Sequence, residues 1–391
     1  MPPPTCPACG SDDLEHFYHL ASIPAHSVLL MPSAEIARSY PRGDLDLAAC
    51  RACGFVTNTS FDPTLNAYSS SYEETQGFSP TFRAFAEGLA RRWIDRYDLH
   101  DKLIVEIGCG KGEFLALMCE LGDNRGIGID PAVAPERLDP AVRQRIDFRP
   151  ELFSEQHHTI DADVIVCRHT LEHVQPVAEF LRSVRSMIGD RTDTVVLFEL
   201  PDVLRVLQEV AFWDLYYEHC SYFTPGSLAR LFRREGFDVV DLAMDFDDQY
   251  ILIEARPGPG DSRELTLDND LDATLAAVRH FGQAIDGELE RWREAVGSRS
   301  GDTDGGVVIW GAGSKGVAFL TTLAVPGIEM AVDINPFKQG KFLPGTGTPV
   351  VGPDAIVADQ PEAVIVMNPA YCEEIKRQLD ELGVGAELIP A

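Results

Sequence analysis

The chain has 391 residues, enough for two or three domains, and 45% of them are hydrophobic, which is ordinary for globular proteins. Its formal net charge of −29 disfavours nucleic acid as a partner, because the phosphates would be repelled. No apolar run approaches the roughly 20 residues of a membrane span, and the N-terminus lacks a basic-then-apolar signal pattern. We therefore expect a cytoplasmic protein with no membrane partner.

Two Cys-x-x-Cys pairs mark the N-terminal part of the chain. The first is Cys6 and Cys9, the second is Cys50 and Cys53, and a glycine that suits a turn follows each pair. In a cytosolic chain such pairs favour metal binding over disulfides, and two of them can form the tetrahedral four-sulfur site of structural zinc. Redox pairs or inert thiols are the alternatives. We predict a structural Zn²⁺ in a zinc-binding domain over residues 1–78.

An aromatic stretch, YSSSYEETQGFSPTFRAF, joins this module to the rest of the chain. Ser79 suits a helix N-cap and Pro80 a first turn, which predicts a helix over residues 82–97. The stretch can fold over a neighbouring pocket, and an ordinary aromatic loop between domains is the alternative. Three of its polar side chains are candidates for lining that pocket: Tyr68, Tyr72 and Gln76.

The segment LIVEIGCGKGEFLALM, residues 103–118, predicts a buried parallel strand, a glycine loop and a helix. Glycines let the backbone approach a ligand, and the loop lies at the carboxyl end of its strand, where open α/β sheets bind ligands. The pattern predicts a nucleotide-type cofactor site at Gly108 and Gly110, with an ordinary strand–turn–helix as the alternative. Asp130 ends the next strand pattern, where an acid can accept hydrogen bonds from ribose hydroxyls.

Strand and helix patterns alternate from residue 100 to about 255, which predicts an α/β fold with a doubly wound sheet. The candidate strands are Leu103–Ile107, Arg125–Ile129, Arg145–Phe148, Val164–Cys167, Val195–Glu199 and Ile251–Glu254.

The E-x-G-x-G-x-G pattern of residues 106–112 resembles motif I of class I S-adenosylmethionine-dependent methyltransferases. The resemblance implies S-adenosylmethionine as the cofactor, in a Rossmann-like core over residues 79–258. It implies that Glu106 helps to hold the aminoacyl end of the cofactor. It assigns Glu151 to the adenine edge, although Asp147 lies close by in the sequence.

The fourth strand pattern runs into CRHTLEHV, residues 167–174. On a helix His169 and His173 would share a face and can bind a metal, but no third ligand is evident. The LEHV segment resembles the one that follows the fourth strand in these methyltransferases. We therefore expect no metal here and a contact of Arg168 or His169, at the strand end, with cofactor or substrate.

Residues 212–232 bring together a phenol, a carboxylate and an imidazole, the groups of acid–base chemistry near neutral pH. A structural aromatic loop is the alternative. The order Tyr-x-Glu-His resembles that in the sugar C-methyltransferases of deoxysugar biosynthesis, which have a zinc-binding N-terminal domain, a class I core and a C-terminal α/β domain. The resemblance makes His219 the base, Glu218 its supporting carboxylate and Tyr216 an enolate stabiliser.

One segment departs from that family. Where the sugar enzymes tend to have Gly-Gly-Ser before the last core strand, this chain has Gln249 and Tyr250. The departure bears on the substrate more than on the chemistry. We predict C-methylation of a nucleotide-activated keto-deoxysugar, with O-methylation of a sugar or another secondary metabolite as the alternative.

A linker with a long helix pattern occupies residues 259–300, and its apolar stripe predicts a docking face between domains.

The last part, residues 301–391, carries G-x-G-x-x-G at 311–316 and an acid, Asp333, at the end of the next strand pattern. This Rossmann fingerprint leaves NAD binding open. The residues that follow resemble the C-terminal domain of the sugar methyltransferases, which implies a Rossmann-like lobe that binds the nucleotide-linked substrate. Three lysines are candidates for a diphosphate: Lys315, Lys338 and Lys341.

Overall fold

The computed structural model describes residues 4–29, 31–66, 72–299 and 306–391, which contain three separate sheets. The strands are β1 Leu14–Pro24, β2 Arg42–Cys50, β3 Val56–Asn58, β4 Leu103–Ile107, β5 Arg125–Ile129, β6 Ile146–Arg149, β7 Val164–Arg168, β8 Val195–Pro201, β9 Ser221–Tyr222, β10 Phe237–Asp245, β11 Tyr250–Pro257, β12 Val307–Trp310, β13 Ile328–Val332, β14 Val350–Val351, β15 Ala363–Val366 and β16 Glu387–Pro390.

Helices connect most of these strands. The α-helices are α1 Ala34–Arg38, α2 Pro80–Tyr97, α3 Glu113–Gly122, α4 Pro140–Arg143, α5 Val177–Ile188, α6 Val203–Glu209, α7 Pro225–Arg234, α8 Leu271–Gly297, α9 Ser314–Leu323, α10 Ile356–Asp359 and α11 Cys372–Leu382. Short 3₁₀ turns cover Pro63–Leu65, Pro135–Arg137, Glu155–His157, Leu171–His173, Phe212–Asp214, Thr266–Asp268, Pro353–Ala355 and Pro369–Tyr371. Across the described ranges, no helix combines the length and the apolar character that crossing a bilayer would require.

The first sheet is antiparallel, with the strand order β1–β2–β3–β9. Its fourth strand does not come from residues 1–78, where the sequence places a separate module. Strand β9 follows the Tyr-Glu-His segment directly and pairs with β3 through Val56 opposite Tyr222 and Thr57 opposite Ser221. This pairing ties the segment that carries His219 to the N-terminal sheet.

The second sheet confirms the predicted doubly wound fold. Its order is β10–β11–β8–β7–β4–β5–β6, in which β4 to β8 are parallel and β11 runs antiparallel to β8. Side chains of β4 alternate between two cores, with Ile104 in one and Val105 in the other, because helices cover both faces. All six predicted strands are present. The edge strand β10 was not predicted, because only part of it alternates buried with more exposed residues, which makes a weaker pattern.

The third sheet is parallel, with the order β14–β13–β12–β15–β16, and forms the predicted Rossmann-like lobe. Helix α8 reaches this lobe from the core. Its buried Val278 and Phe281 pack in one cluster with Leu47 of β2, Leu207 of α6 and Phe319 of α9. The predicted docking stripe of this helix therefore lies in one cluster with residues from all three parts of the chain.

Candidate active site

A cavity of about 1380 Å³ lies between the carboxyl ends of the parallel strands in the second and third sheets. Both glycine loops line it. Ordinary small-ligand pockets measure roughly 300–1,000 Å³, so this one has room for a cofactor and an acceptor together.

The first glycine loop has the backbone that its sequence predicts. Gly108 has φ 72° and Gly110 has φ 51°, and a Cβ atom on Gly108 would lie 1.9 Å from the hydroxyl oxygen of Thr170. The amide of Gly110 donates to Oδ2 of Asp130 at 3.0 Å, and the amide of Ala132 donates to Oδ1 at 2.6 Å. These bonds fix the Asp130 carboxylate at the cavity wall, and each oxygen keeps acceptor capacity for a ribose hydroxyl.

Glu106 lies under this loop, buried at the cavity wall. Burial raises the pKa of its carboxyl to about 8, although Arg168 acts in the opposite direction. Its Oε2 atom has no hydrogen-bond partner among the described residues. An orphaned buried carboxylate at this position suits a cationic group such as the ammonium of an aminoacyl chain.

Glu151 lies at the exposed rim of the cavity, where Nε2 of His157 is 3.0 Å from its Oε1. The neighbouring Asp147 pairs with Arg149 on the surface and does not line the cavity. The structure therefore favours Glu151 over Asp147 for the predicted adenine contact.

Arg168 and His169 end β7 at the cavity and share one carboxylate, Glu199 of β8. Arg168 donates to both Glu199 oxygens at 2.8 and 3.0 Å, and Nε2 of His169 lies 2.7 Å from Oε1. Burial alone would lower the pKa of His169, but Glu172 and Glu199 outweigh it and raise the value to about 9. His169 also has φ +46°, an uncommon backbone conformation outside glycine. A charged imidazole is thus held at the strand end.

His219 and Tyr216 face the cavity side by side, with ring centroids 4.1 Å apart. Burial, together with the nearby His173 and His169, holds the pKa of His219 well below its usual range. Burial likewise raises the pKa of Tyr216 well above its usual value. Near neutral pH the pair therefore offers an unprotonated imidazole and a protonated phenol, which are a base and a hydrogen-bond donor.

The structure corrects the predicted role of Glu218. Its carboxylate does not support His219: Nδ1 of His26 lies 2.9 Å from its Oε2, and the hydroxyl of Ser314 donates to Oε1 at 3.3 Å. Glu218 instead joins the N-terminal part of the chain, the core and the second glycine loop. Adjacent residues in this turn point to different surroundings, which the sequence order cannot reveal.

Glu172 is a cavity residue that the sequence analysis missed. Its side chain is 3% exposed, and neither carboxylate oxygen has a hydrogen-bond partner among the described residues. The donor atoms of Glu172, His173 and His219 lie within 4.8 Å of one another, and Nδ1 of His169 is 3.6 Å from Oε1 of Glu172. The sequence did offer a signal for this residue, which is an acid between two histidines in the segment HTLEH, residues 169–173.

The second glycine loop repeats the geometry of the first, since Ala312 donates its amide to Asp333 at 3.0 Å. Two of the lysines predicted for a diphosphate already face carboxylates. Nζ of Lys315 is 3.0 Å from Asp214, and Nζ of Lys338 is 3.4 Å from Asp333. Lys341 does not line the main cavity. Pairing with acids leaves these lysines with little positive charge to offer a diphosphate.

The departure from the sugar enzymes at Gln249 and Tyr250 also lies on the cavity wall. Nζ of Lys315 donates to the Gln249 carbonyl oxygen at 3.3 Å, and the Gln249 amide donates to Asn368 at 3.0 Å. Tyr250 packs edge-on against His169, with ring centroids 4.6 Å apart. Gln249 thus links the core to the C-terminal lobe, whereas Tyr250 packs within the core.

The aromatic stretch before α2 covers part of the cavity. Tyr72 and Gln76 line it, and Tyr68 lies outside the described residues. The carbonyl of Tyr72 accepts from Nζ of Lys111 at 2.6 Å, and Gln76 accepts from the Tyr371 hydroxyl at 2.8 Å. The stretch therefore links the first glycine loop to the C-terminal lobe.

The four N-terminal cysteines converge away from the cavity. Sγ of Cys6 is 3.7 Å from Sγ of Cys53, and Sγ of Cys9 is 3.5 Å from Sγ of Cys50. All four sulfur atoms lie within 4.8 Å of one another. Bonds of about 2.3 Å to a tetrahedral Zn²⁺ require sulfur separations of about 3.8 Å, so the cluster has dimensions that suit the ion.

Comparisons with known proteins match the two parts of the chain that carry the glycine loops. Residues 81–242 match the model of a methyltransferase domain, and residues 270–390 match that of a C-methyltransferase C-terminal domain. The chain is an S-adenosylmethionine-dependent methyltransferase. The C-methyltransferase NovU of Streptomyces niveus is 27% identical over 391 residues, covering 95% of this methyltransferase and 90% of NovU.

Two further relatives match only part of this methyltransferase. Ribosomal protein L11 methyltransferase of Escherichia coli O8 is 35% identical over 82 residues, which are 20% of this chain and 28% of that enzyme. The crystal structure of the dimethyltransferase RosA from Streptomyces davawensis has a TM-score of 0.37 and 23% identity, covering 45% of this chain and 56% of that one.

If Glu106 holds the ammonium of the ligand, as the resemblance implies, its raised pKa predicts that binding of the cofactor product S-adenosylhomocysteine strengthens between pH 6.5 and 8. The carboxyl must lose a proton before it can pair with the ligand's ammonium, so below about pH 8 binding releases a proton and affinity falls by up to tenfold per pH unit. Titration calorimetry at several pH values measures this slope. Glu106→Gln should bind more weakly with a flat profile, and an unchanged slope in that variant would contradict the assignment.

Proposed function

We propose that this methyltransferase methylates a carbon atom adjacent to the ketone of a nucleotide-activated deoxysugar. The observation that carries the proposal is the unprotonated, buried imidazole of His219 beside the Tyr216 phenol, in a cavity shared with both glycine loops. A carbon next to a ketone needs a base and an oxyanion stabiliser before it can accept a methyl group, whereas the sulfonium donor is reactive without activation.

The cofactor would occupy the part of the cavity around the first glycine loop. Glu106 would hold its ammonium, Asp130 its ribose and Glu151 its adenine edge, with His169 beside them. Once bound, the cofactor supplies an electrophilic methyl group.

The residues of the chain then act on the acceptor. His219 takes the proton from the carbon next to the ketone, and the electron pair of that C–H bond moves to form the enolate. The Tyr216 hydroxyl donates a hydrogen bond to the enolate oxygen, which stabilises the charge as it develops. The large cavity holds acceptor and cofactor together, so the remaining contribution is alignment of the reacting carbon.

The acceptor class rests on the C-terminal lobe. Residues 270–390 match the family model of a C-methyltransferase C-terminal domain. NovU, whose similarity covers 95% of the chain, is described as a C-methyltransferase. We infer that the nucleotide part of the acceptor lies against the second glycine loop, whose backbone follows the geometry of the cofactor loop. Because Lys315 and Lys338 are paired with acids, loop amides rather than lysines would bind its phosphates.

We also infer that the four cysteines hold a structural Zn²⁺. Four thiolates close the coordination shell, so the ion would supply folding energy and no catalytic position. The spacing of the sulfur atoms supports this assignment.

Deuterium exchange tests carbon chemistry directly. The enzyme is incubated in D₂O with S-adenosylhomocysteine and each of a panel of nucleoside-diphosphate keto-sugars. We expect one carbon-bound hydrogen next to the ketone to exchange, as seen by mass spectrometry, and the same carbon to be methylated when S-adenosylmethionine is supplied. Methylation of a hydroxyl without carbon exchange would overturn the proposal in favour of O-methylation.

A further inference from the structure

Glu172 and His219 belong to one rigid unit, although the two residues are far apart in sequence. The backbone carbonyl of Glu172 accepts from the amide of Cys220 at 3.0 Å, and Nδ1 of His173 lies 3.0 Å from the carbonyl of Glu218. The short turn Leu171–His173 is therefore fixed against the segment that carries His219. The backbone segments that carry the two side chains cannot separate without breaking these bonds.

The carboxylate of Glu172 has a charged neighbour, His169, whose Nδ1 lies 3.6 Å from Oε1, but its hydrogen-bond acceptors are unused in the described part of the chain. It is buried, and neither oxygen has a hydrogen-bond partner within the described ranges. A buried polar group without a hydrogen-bond partner is unfavourable, and a charged one more so. A buried carboxylate with unused acceptors in a cavity wall suits a second positive charge, one that arises only during the reaction.

Such a charge arises on His219. When the base takes the carbon-bound proton it becomes an imidazolium in a buried site, where burial and two neighbouring histidines oppose the charged form. The carboxylate expected to offset this charge, Glu218, is bonded to His26 and Ser314 instead. Glu172 lies within 4.8 Å of the His219 nitrogen, measured between donor atoms.

We propose that Glu172 is the carboxylate that stabilises the protonated form of His219. It acts as a positioning residue, and the inference rests on the proposed role of His219 as the base. The proton moves from the acceptor carbon to His219 and leaves to solvent afterwards, while Glu172 remains ionised. Other titratable and charged groups face this pair from the surrounding elements: His169, His173, Tyr216, Tyr222, Glu199 and Arg168.

The test compares Glu172→Gln with the wild-type enzyme in the deuterium-exchange assay across a range of pH. We expect exchange to slow by about tenfold to 100-fold, because a weaker base is left. The acid limb of the rate profile should move to lower pH, because removing a nearby negative charge lowers the pKa of the histidine. The Kd of S-adenosylhomocysteine should not change.

Two further variants separate this role from a structural one. Glu172→Asp keeps the charge and should keep the acid limb close to that of the wild type. Glu179→Gln makes the same charge change at an exposed position of α5 and should match the wild type throughout.

Two outcomes would overturn the proposal. One is a slower Glu172→Gln enzyme whose acid limb has not moved. The other is exchange that depends on an added divalent cation which Glu172→Gln no longer binds, since Glu172, His173 and His219 would then be metal ligands. Failure of the proposed function is distinct, because it appears as no carbon exchange in the wild-type enzyme.

Discussion

Replacing His219 with alanine should slow methyl transfer by about 100- to 10,000-fold, the usual contribution of a well-placed general base. The side chain faces the cavity beside Tyr216, and its imidazole is held unprotonated near neutral pH. It has no part in the glycine loop or in the Asp130 network, so affinity for the cofactor should not change. Single-turnover rates and titration calorimetry with S-adenosylhomocysteine measure the two quantities separately.

The matched control is His280→Ala, which removes an exposed imidazole from α8. It should retain the wild-type rate. Equal losses of rate and cofactor affinity in His219→Ala would indicate a collapsed cavity, and an unchanged rate would place the base elsewhere. In His219→Ala, carbon deuterium exchange should fall in step with methyl transfer, because both need the same proton removed.

The cofactor half of the site could be predicted from sequence because its parts are local. The strand, the loop glycines and Asp130 occur in one βαβ unit, and the structure links Gly110 to Asp130 by a single hydrogen bond. In such a unit, the order of strand, glycine loop, helix and second strand almost determines where the loop and the acid lie relative to each other. The parallel strands of the second sheet were predicted with small errors at their ends for the same reason.

The acceptor half could not be derived in the same way, because its contacts join distant residues. Glu218 follows Tyr217 and precedes His219, yet its carboxylate contacts His26 and Ser314. Glu172 approaches His219 through a turn that follows a different strand. Side-chain direction in such turns depends on backbone angles that sequence order does not specify. The ion pair between Lys315 and Asp214 is another example, because the two residues are distant in sequence and only the fold brings them together.

Removal of the proposed zinc should have an effect nearly as large as loss of the proposed base, although the cysteines lie outside the cavity. The second Cys-x-x-Cys pair connects β2 to β3, and β3 pairs with β9 directly after His219. Thr57 of β3 also donates its hydroxyl to the carbonyl of Cys220 at 3.0 Å. Loosening the cysteine cluster therefore removes the support of the segment that carries the base.

Cys50→Ser tests this dependence, with the zinc content of the protein measured by mass spectrometry. Structural zinc contributes apparent binding free energies of about 10–16 kcal/mol in isolated zinc-finger peptides, and a loss of only a few kcal/mol lowers the Tm of a large domain by roughly 10 °C. We expect one zinc per wild-type chain, none in the variant, a fall in Tm of at least that size and loss of carbon exchange. Cys372→Ser, a thiol outside the cluster, should retain zinc and activity.

The same variant separates the two halves of the site. The first glycine loop and Asp130 belong to the second sheet, which does not include β3 or β9. Below its lowered Tm, Cys50→Ser should therefore still bind S-adenosylhomocysteine with an affinity close to that of the wild type, while exchange at the acceptor carbon is lost. Full carbon exchange in a zinc-free variant would show that the N-terminal sheet holds the His219 segment without the metal. Loss of cofactor binding as well would show that zinc supports the whole fold rather than one side of the cavity.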